Sequence, residues 1–249
     1  MDARCYRARV AAPRDDLRLD VLLARNLATS RTAVRALIDA GLVEVDGAPI
    51  DDPRFAVPRA RLPLSVIVDG VAHALHDQAR ILLNKPVGCV TALRDHQHPT
   101  AYALVRDAPL AGELRPVGRL DLDTSGLLLW TTDGAEIQRL THPKRAIPRV
   151  YQAALARPFA APPANLVLDD GHVPQIAALT ELPRGAAHPS LSVPPDAALL
   201  ASITVVGGAY HEVRRIFAAL GSHVLGLCRV RFGDLELPFD LAPAAYRLL

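Results

Sequence analysis

Cysteine, lysine and long apolar runs are all scarce in this 249-residue sequence. The three cysteines, Cys5, Cys89 and Cys228, are widely spaced and form no CxxC pair, which argues against disulfides and a thiolate zinc site. No apolar run approaches the roughly 20 residues of a membrane-spanning helix, and the charged N-terminal segment has no apolar core like that of a signal peptide. We therefore expect a cytoplasmic protein.

Lysine occurs only at Lys85 and Lys144, so arginine supplies nearly all of the positive charge. Arginine is the better side chain for bidentate contacts with phosphate and for stacking on bases. The formal net charge is only +2, however, and a GC-rich genome would also produce a chain rich in arginine and alanine. Composition alone therefore leaves both RNA binding and codon bias open.

The first part of the chain predicts two short helices and a hairpin. Apolar residues at positions 19, 22 and 23, and again at 34, 37 and 38, have helical spacing. Thr29 or Ser30 can cap the second helix, and Gly41 can end it. The pair Asp46 and Gly47 predicts a hairpin turn, and residues 64–68 predict a further strand. Residues 71–78 are polar and aperiodic, which predicts a linker between a domain of residues 1–75 and one of residues 79–249.

The second domain alternates short strands with turn signals and a few helices, without an internal repeat or a βαβ rhythm. This pattern favours a mostly antiparallel α+β domain. Buried strands are predicted to begin near Ala79 and Gly126, and Trp130 is expected in the core. Apolar residues at 213, 216, 217 and 220 predict one amphipathic helix.

The segment GRLDLDTSGLLLWTTDG, residues 118–134, poses the question of which carboxylate is functional. A calcium loop beginning at Asp121 would need an acid at its twelfth position, where Thr132 stands. An aspartic protease would need its glycine directly after the Asp-Thr pair and a second matching copy, and the sequence has neither. Asp121 precedes a buried strand, so it is either a nucleophile beside Arg119 or a residue that caps a turn. Asp133 and Gly134 are expected to turn the strand back.

Three other segments collect residues suited to nucleic-acid binding. NKPVGCVT, residues 84–91, places Lys85 beside a rigid proline and a flexible glycine. LTHPKRAIPRVYQ, residues 140–152, is a basic patch ending at Tyr151, a combination that suits phosphates and a splayed base, although a tyrosine taken alone is more often a core aromatic. GGAYHEVRRIFAALGSHV, residues 207–224, places basic residues at helical N-terminal turns, where free N–H groups add positive potential. His96 and His98 have no third ligand, so no metal site is expected.

Together these segments resemble the pseudouridine synthases of the ribosomal small-subunit type. The family segments NKPxG, GRLDxxTxGLLLxTxDG, LTHPxxxxxKxY and HQVRRM correspond to residues 84–88, 118–134, 140–151 and 211–216. Residues 18–50, RLDVLLARNLATSRTAVRALIDAGLVEVDGAPI, resemble the small RNA-binding domain first described in a ribosomal small-subunit protein, here called the S-four-like domain. The resemblance implies an α+β protein in which a small helix-hairpin RNA-binding domain precedes a mostly antiparallel-sheet catalytic domain.

The same resemblance implies an enzyme that isomerises a uridine of ribosomal RNA to pseudouridine without a metal or cofactor. Asp121 corresponds to the family's nucleophile, Tyr151 to the residue that stacks on the target base and accepts the final proton, and Arg214 to the basic partner of the aspartate. The target base must leave its stack, which fits an aromatic residue in a basic cradle. The residues expected to bind RNA are Arg18, Ser30, Arg31, Arg35, Lys85, Arg119, Lys144, Arg145, Arg149, His211 and Arg215.

The chain departs from the family pattern at several positions. Gly207 replaces an acid, Glu212 stands where glutamine is usual, Arg149 replaces a lysine, and Asp39 ends a helix that is usually basic there. We expect a monomer that acts on small-subunit ribosomal RNA or on an assembling subunit, with no membrane partner. Large-subunit RNA as the target, and a catalytically silent assembly factor, are the alternatives.

Overall fold

The computed structural model describes residues 16–249, and Cys5 and the charged N-terminal segment lie outside them. Contacts divide the chain after Gln78 into two compact units. Among residues 16–249, no helix has both the length and the apolar character needed to cross a membrane. Each unit has its own apolar core.

Two short helices form the helical part of the first unit. Helix α1 spans Leu19–Asn26 and helix α2 spans Arg31–Asp39. The predicted apolar stripes of both helices lie in one core: Leu19, Leu22, Leu23, Val34 and Ile38 are all buried. Helix α2 begins at Ser30, whose hydroxyl oxygen accepts a hydrogen bond from the Ala33 N–H (3.1 Å), and it ends before Gly41, whose φ of +70° provides the left-handed C-cap.

Six short strands complete this unit. Strands β1 (Asp16–Arg18) and β4 (Ala56–Pro58) pair with each other, and the order β3-β2-β5-β6 joins Ala48–Pro49, Val43–Val45, Leu64–Val68 and Val71–Leu75. The predicted hairpin at Asp46 and Gly47 is confirmed. The linker predicted over residues 71–78 is wrong for Val71–Leu75, which pair with β5 in antiparallel register. This edge strand buries only Leu75 fully, so its sequence has no apolar alternation to reveal it.

The second unit is built on one nine-stranded sheet. Its path runs β11-β12-β10-β13-β9-β7-β15, with β14 on β13 and β8 on β9. The β9–β13 pair is parallel and every other pair is antiparallel, as the α+β expectation requires. The strands are β7 Arg80–Lys85, β8 Arg115–Pro116, β9 Thr124–Thr131, β10 Pro148–Leu155, β11 Ile176–Glu181, β12 Leu199–Val206, β13 Val224–Phe232, β14 Leu235–Glu236 and β15 Tyr246–Leu248.

Two helices lie in the second unit, α3 (Gly134–Thr141) and α4 (Glu212–Ala219). The predicted stripe of α4 is confirmed, because Val213, Ile216, Phe217 and Leu220 pack in a core cluster with residues of β10 and β12. The expectation that Asp133 turns the strand back is wrong. Its carboxylate accepts a hydrogen bond from the Ala135 N–H (2.8 Å) and so caps helix α3.

Every residue of β9 is buried, including Trp130. The strand lies between β13 and β7, so both of its edges are paired. Gly126 permits the close approach of β9 to β13: a Cβ at this position would overlap the Arg229 carbonyl oxygen and lie 2.8 Å from the Arg229 nitrogen. The segment just before β9 is therefore attached to a buried strand that is paired on both edges.

Candidate active site

Asp121 lies in the segment between β8 and β9, which the sheet holds at its backbone. The Thr124 N–H donates to the Asp121 carbonyl (3.1 Å), closing a turn that begins at Asp121. The Lys85 ammonium donates to the carbonyls of Asp121 (3.0 Å), Thr124 (2.9 Å) and Pro86 (2.9 Å). These bonds fix the main chain of the turn while the Asp121 side chain stays 36% exposed. The carboxylate is therefore held on a fixed backbone and is accessible to a substrate.

Lys85 was expected to contact RNA, and its complete burial contradicts a direct contact. Burial lowers its pKa, although the neighbouring carboxylates of Asp121 and Asp123 act in the opposite direction. Its three carbonyl partners occupy all three donors of an ammonium group. Lys85 is therefore a residue that positions the turn carrying Asp121.

The side-chain partner of Asp121 is His211, whose Nε2 lies 3.5 Å from Oδ1 of the carboxylate. His211 immediately precedes α4 and has a left-handed backbone (φ 48°). Arg214 was expected to pair with Asp121, but its Nη2 lies 2.9 Å from the Asp123 carboxylate and also donates to the Asp123 carbonyl (3.2 Å). Arg214 therefore binds the same turn two residues further on, a difference that residue spacing in the sequence could not reveal.

The sheet brings Tyr151 into the neighbourhood of this turn. Tyr151 on β10 lies opposite Arg229 on β13, and Arg229 lies opposite Gly126 on β9. With neighbouring strands about 4.8 Å apart, Tyr151 and Gly126 are separated by about 10 Å across the sheet. Tyr151 is half-buried and packs against two core clusters. Tyr151 is therefore packed against the core and still partly exposed.

Arg229 on β13 is buried, which its alternation with apolar residues in the sequence did not indicate. Arg229 is 2% exposed, and its Nε donates to the Leu127 carbonyl (2.9 Å). The guanidinium also stacks over the Phe232 ring, with its central carbon 5.1 Å from the ring centroid. Alternation along β13 placed Arg229 and Arg231 on one face, but only Arg231 is exposed. Arg229 therefore holds a buried positive charge against β9, the strand that follows the turn carrying Asp121.

The other basic residues of the second unit that were expected to bind RNA differ in their exposure and in their ion pairs. Arg119, Lys144 and Arg145 are exposed, the last two in a short 3-10 turn. Arg149 is half-buried over Phe232, and burial lowers the pKa of its guanidinium. Arg215 is held by the carboxylates of Asp169 and Asp170, so much of its charge is already balanced.

Glu212 and His172 form a pair that the sequence did not predict. Glu212 is 5% exposed, and its Oε1 lies 2.9 Å from His172 Nε2. Its other oxygen has no hydrogen-bond partner among residues 16–249. The sequence marked Glu212 as a departure from the family pattern, and its partner lies 40 residues earlier in the chain.

A cavity of about 630 Å³ opens beside the turn, on the side of α4. Its lining combines aromatic, basic and acidic side chains. The lining includes Asp169, Asp170, Tyr210, His211, Arg214, Arg215 and His223.

In the first unit, three of the expected RNA-binding arginines converge on one carboxylate. Asp20 is fully buried, and its Oδ2 lies 2.9 Å from Arg18, 2.9 Å from Arg31 and 3.4 Å from Arg35. Burial on its own raises the pKa of Asp20, but the bonds from Arg31 and Arg18 outweigh it and hold the pKa below its usual value. The three guanidinium groups remain between 39% and 49% exposed.

Protein-family models match both units of the chain. The family model described as RNA pseudouridylate synthase matches residues 80–219, and the S4 domain model matches residues 17–60. The ribosomal small subunit pseudouridine synthase A of Escherichia coli (strain K12) is 35% identical over 241 residues, covering 94% of this chain and 96% of that protein. The chain belongs to the RNA pseudouridylate synthase family.

A second relative and a solved structure are similar to this chain over 94% of its length. The protein of the same name from Yersinia pestis is 33% identical over 234 residues, covering 94% of each chain. A crystal structure of a pseudouridylate synthase matches with a TM-score of 0.57 and 31% identity over 94% of this chain and 96% of that one. The family and the order of its domains, an S4 domain followed by an α+β synthase domain, are therefore confirmed.

Proposed function

We propose that this protein isomerises a specific uridine of small-subunit ribosomal RNA to pseudouridine. The relatives that share 94% of its length are named for this activity, and an S4 domain precedes the synthase domain. The single observation that carries the proposal is the accessible Asp121 carboxylate on a turn fixed by Lys85. We further propose that the protein acts as a cytoplasmic monomer, on free RNA or on an assembling subunit.

The reaction exchanges one bond between base and sugar for another. The glycosidic bond between C1′ and N1 breaks, the uracil rotates, and C1′ bonds to C5 of the same ring. N1 gains a proton and C5 loses one, so the product is an isomer and the balance requires neither a redox partner nor a cofactor. In this proposal Asp121 is the nucleophile, Tyr151 stacks on the target base and accepts the C5 proton, and the base leaves its helix to reach them.

The positive groups around Asp121 have separate roles in the proposal. His211, whose Nε2 lies 3.5 Å from the carboxylate, orients it. Arg214 holds the turn through Asp123. Arg119, Lys144, Arg145 and Arg149 bind phosphates in the synthase unit, while Arg18, Arg31 and Arg35, with Ser30 as the helix cap, form the binding surface of the first unit.

The nucleophile is tested by release of tritium from small-subunit RNA labelled at C5 of its uridines. Asp121→Asn should abolish release while RNA affinity stays within a few-fold, because the substitution is nearly isosteric. Asp123→Asn, on the same turn, is the matched control and should slow release without abolishing it. Unchanged release by Asp121→Asn would remove Asp121 from this role.

The target is tested by deleting the gene and mapping pseudouridines in both ribosomal RNAs. Loss of one site in the small-subunit RNA, restored by the wild-type gene and not by Asp121→Asn, is the expected result. Loss confined to large-subunit RNA would overturn the assignment of the target and leave the reaction standing. No loss in either RNA would favour a catalytically silent binding protein.

A further inference from the structure

Tyr210 is an exposed aromatic residue beside the catalytic turn. At 78%, it is the most exposed of the large apolar and aromatic side chains in residues 16–249. One face of its ring stacks on the His211 imidazole, with centroids 3.8 Å apart and planes 17° from parallel. His211 in turn contacts the Asp121 carboxylate. Tyr210 therefore has one ring face packed on His211 and one face open, and it is connected to the nucleophile Asp121 through His211.

The cavity beside Tyr210 has the size to hold one nucleotide. Ligand cavities generally measure about 300–1,000 Å³, and this one measures about 630 Å³. Arg214 and His223 line it together with Tyr210 and His211, so polar side chains that can donate hydrogen bonds lie around the open ring, and the carboxylates of Asp169 and Asp170 line the same cavity. Arg215 Nη1 donates to the Tyr210 carbonyl (3.3 Å), and Asp169 and Asp170 hold Arg215 in turn. The backbone beneath the ring is thus anchored before any ligand arrives.

We propose that the open face of Tyr210 stacks on a nucleobase that neighbours the target uridine in the RNA. This proposal rests on the proposed function and adds a second base-binding site to it. Tyr151 lies half-buried in the sheet, whereas Tyr210 lies on the segment before α4, so the two rings bind different bases. Stacking on an aromatic ring tolerates any base, so Tyr210 holds the strand in place and does not select its sequence.

The first test compares three variants in the tritium-release assay on small-subunit RNA. Tyr210→Ala should lower kcat/KM by about five- to one-hundred-fold, mainly through KM, because it removes one base-aromatic contact. Tyr210→Phe should retain nearly all of the activity. Phe239→Ala is the matched control, since Phe239 is 67% exposed and contacts the His188 ring in a tilted arrangement (centroids 4.7 Å apart) but does not line the cavity. Wild-type kcat/KM for Tyr210→Ala, or equal losses for Tyr210→Ala and Tyr210→Phe, would overturn stacking.

The second test observes the stacked base directly. The probe is a nine-nucleotide single-stranded RNA with one uridine flanked on both sides by 2-aminopurine, whose fluorescence falls when it stacks on an aromatic ring. Asp121→Asn serves as the background, so that the RNA stays unmodified. Quenching by this protein, retained with Tyr210→Phe and lost with Tyr210→Ala, is expected. Equal quenching with Tyr210→Ala would overturn the proposal.

The two assays separate failure of this site from failure of the proposed function. If the wild-type protein released no tritium from either ribosomal RNA, the proposed function would fall, while the fluorescence assay would still test the ring. If release were normal and Tyr210→Ala changed neither KM nor quenching, only the second site would fall. Thermal unfolding of each variant checks the fold, and the high exposure of Tyr210 predicts wild-type stability for all its substitutions.

Discussion

Gly207 and Glu212 occupy adjoining space so closely that the identity of one constrains the other. A Cβ at position 207 would lie 3.0 Å from Glu212 Oε1 and 3.1 Å from Oε2. Glu212 is buried there and paired with His172. The two departures from the family pattern, a missing acid at 207 and an acid in place of glutamine at 212, are therefore compatible with each other, whereas an acid at 207 would crowd the buried Glu212.

Gly207→Asp should consequently destabilise the protein by about 2–4 kcal/mol, because it crowds a second carboxylate against a buried one. Glu212→Gln in the same chain should recover part of that loss by removing the repulsion. The measurement is the free energy of unfolding in urea for the single and double variants. Gly208→Asp is the control: its Cβ would meet the Arg149 guanidinium carbon at 3.5 Å, so an acid there should be tolerated. Strictly additive effects of the first two substitutions would contradict the coupling.

The sequence predicted those parts of the fold that local patterns determine. The stripes of α1, α2 and α4, the Gly41 cap and the turn at Asp46 each depend on a few neighbouring residues, and each is present. Strand β6 was missed because an edge strand with one buried residue carries no periodic signal. Asp133 was misassigned because Asp-Gly suits a hairpin turn as well as a helix N-terminus.

The site shows the same division between local and long-range information. Family motifs located Asp121, Tyr151 and His211 in sequence, but pairing partners separated by many residues could not be inferred from them. Arg214 contacts Asp123 across 91 residues, and Lys85 contacts the Asp121 carbonyl across 36. A motif gives the types of side chain and their order in the sequence, whereas the register of the sheet determines which atoms are in contact.

Gly126→Ala should destabilise the protein by more than about 3 kcal/mol. The residue has φ of +104°, and a Cβ would overlap the Arg229 backbone, which β9 cannot move away from because both of its edges are paired. Gly134→Ala is the matched control, since Gly134 begins helix α3 and has no atom within 4 Å of a new Cβ. That change should be neutral or stabilise by up to about 1 kcal/mol. Equal urea midpoints for the two variants would contradict the strand packing described above.

The chain's two lysines should respond in opposite ways to the same substitution. Lys85→Met keeps the apolar stem but leaves three carbonyls without their donor, so it should cost about 1–3 kcal/mol of stability and lower kcat. The slope of log affinity against log salt should not change, because no phosphate contact is lost. Lys144→Met should instead reduce that slope by about 0.7–0.9 and leave stability unchanged, because Lys144 is exposed. A reduced slope for Lys85→Met at unchanged stability would contradict its assignment as a positioning residue.

Asp20→Asn should weaken RNA binding even though it makes the surface more positive. Three guanidinium groups and one carboxylate give the cluster a charge of +2, and the substitution raises it to +3. The arginines would lose the charged group that orders them, and ordering each one again on binding costs about 0.5–1.5 kcal/mol, which corresponds to a loss of about two- to thirteen-fold in affinity for each arginine that must be reordered.

The neighbouring arginines lower the pKa of Asp20 in the folded protein. The ionised Asp20 carboxylate therefore stabilises the fold at pH values above its unfolded pKa of about 3.9, and this stabilisation is lost as the pH falls through the pKa of the folded protein. Binding is therefore measured at pH 7, where the wild-type carboxylate is ionised. Asp39→Asn makes the same change of charge at an exposed site on α2 and should leave affinity unchanged or slightly raised. Arg31→Ala should cost less in the Asp20→Asn background than alone, since Asp20 acts through the arginines. If Asp20→Asn tightened binding as much as Asp39→Asn, net charge alone would govern the surface and the ordering role of Asp20 would be wrong.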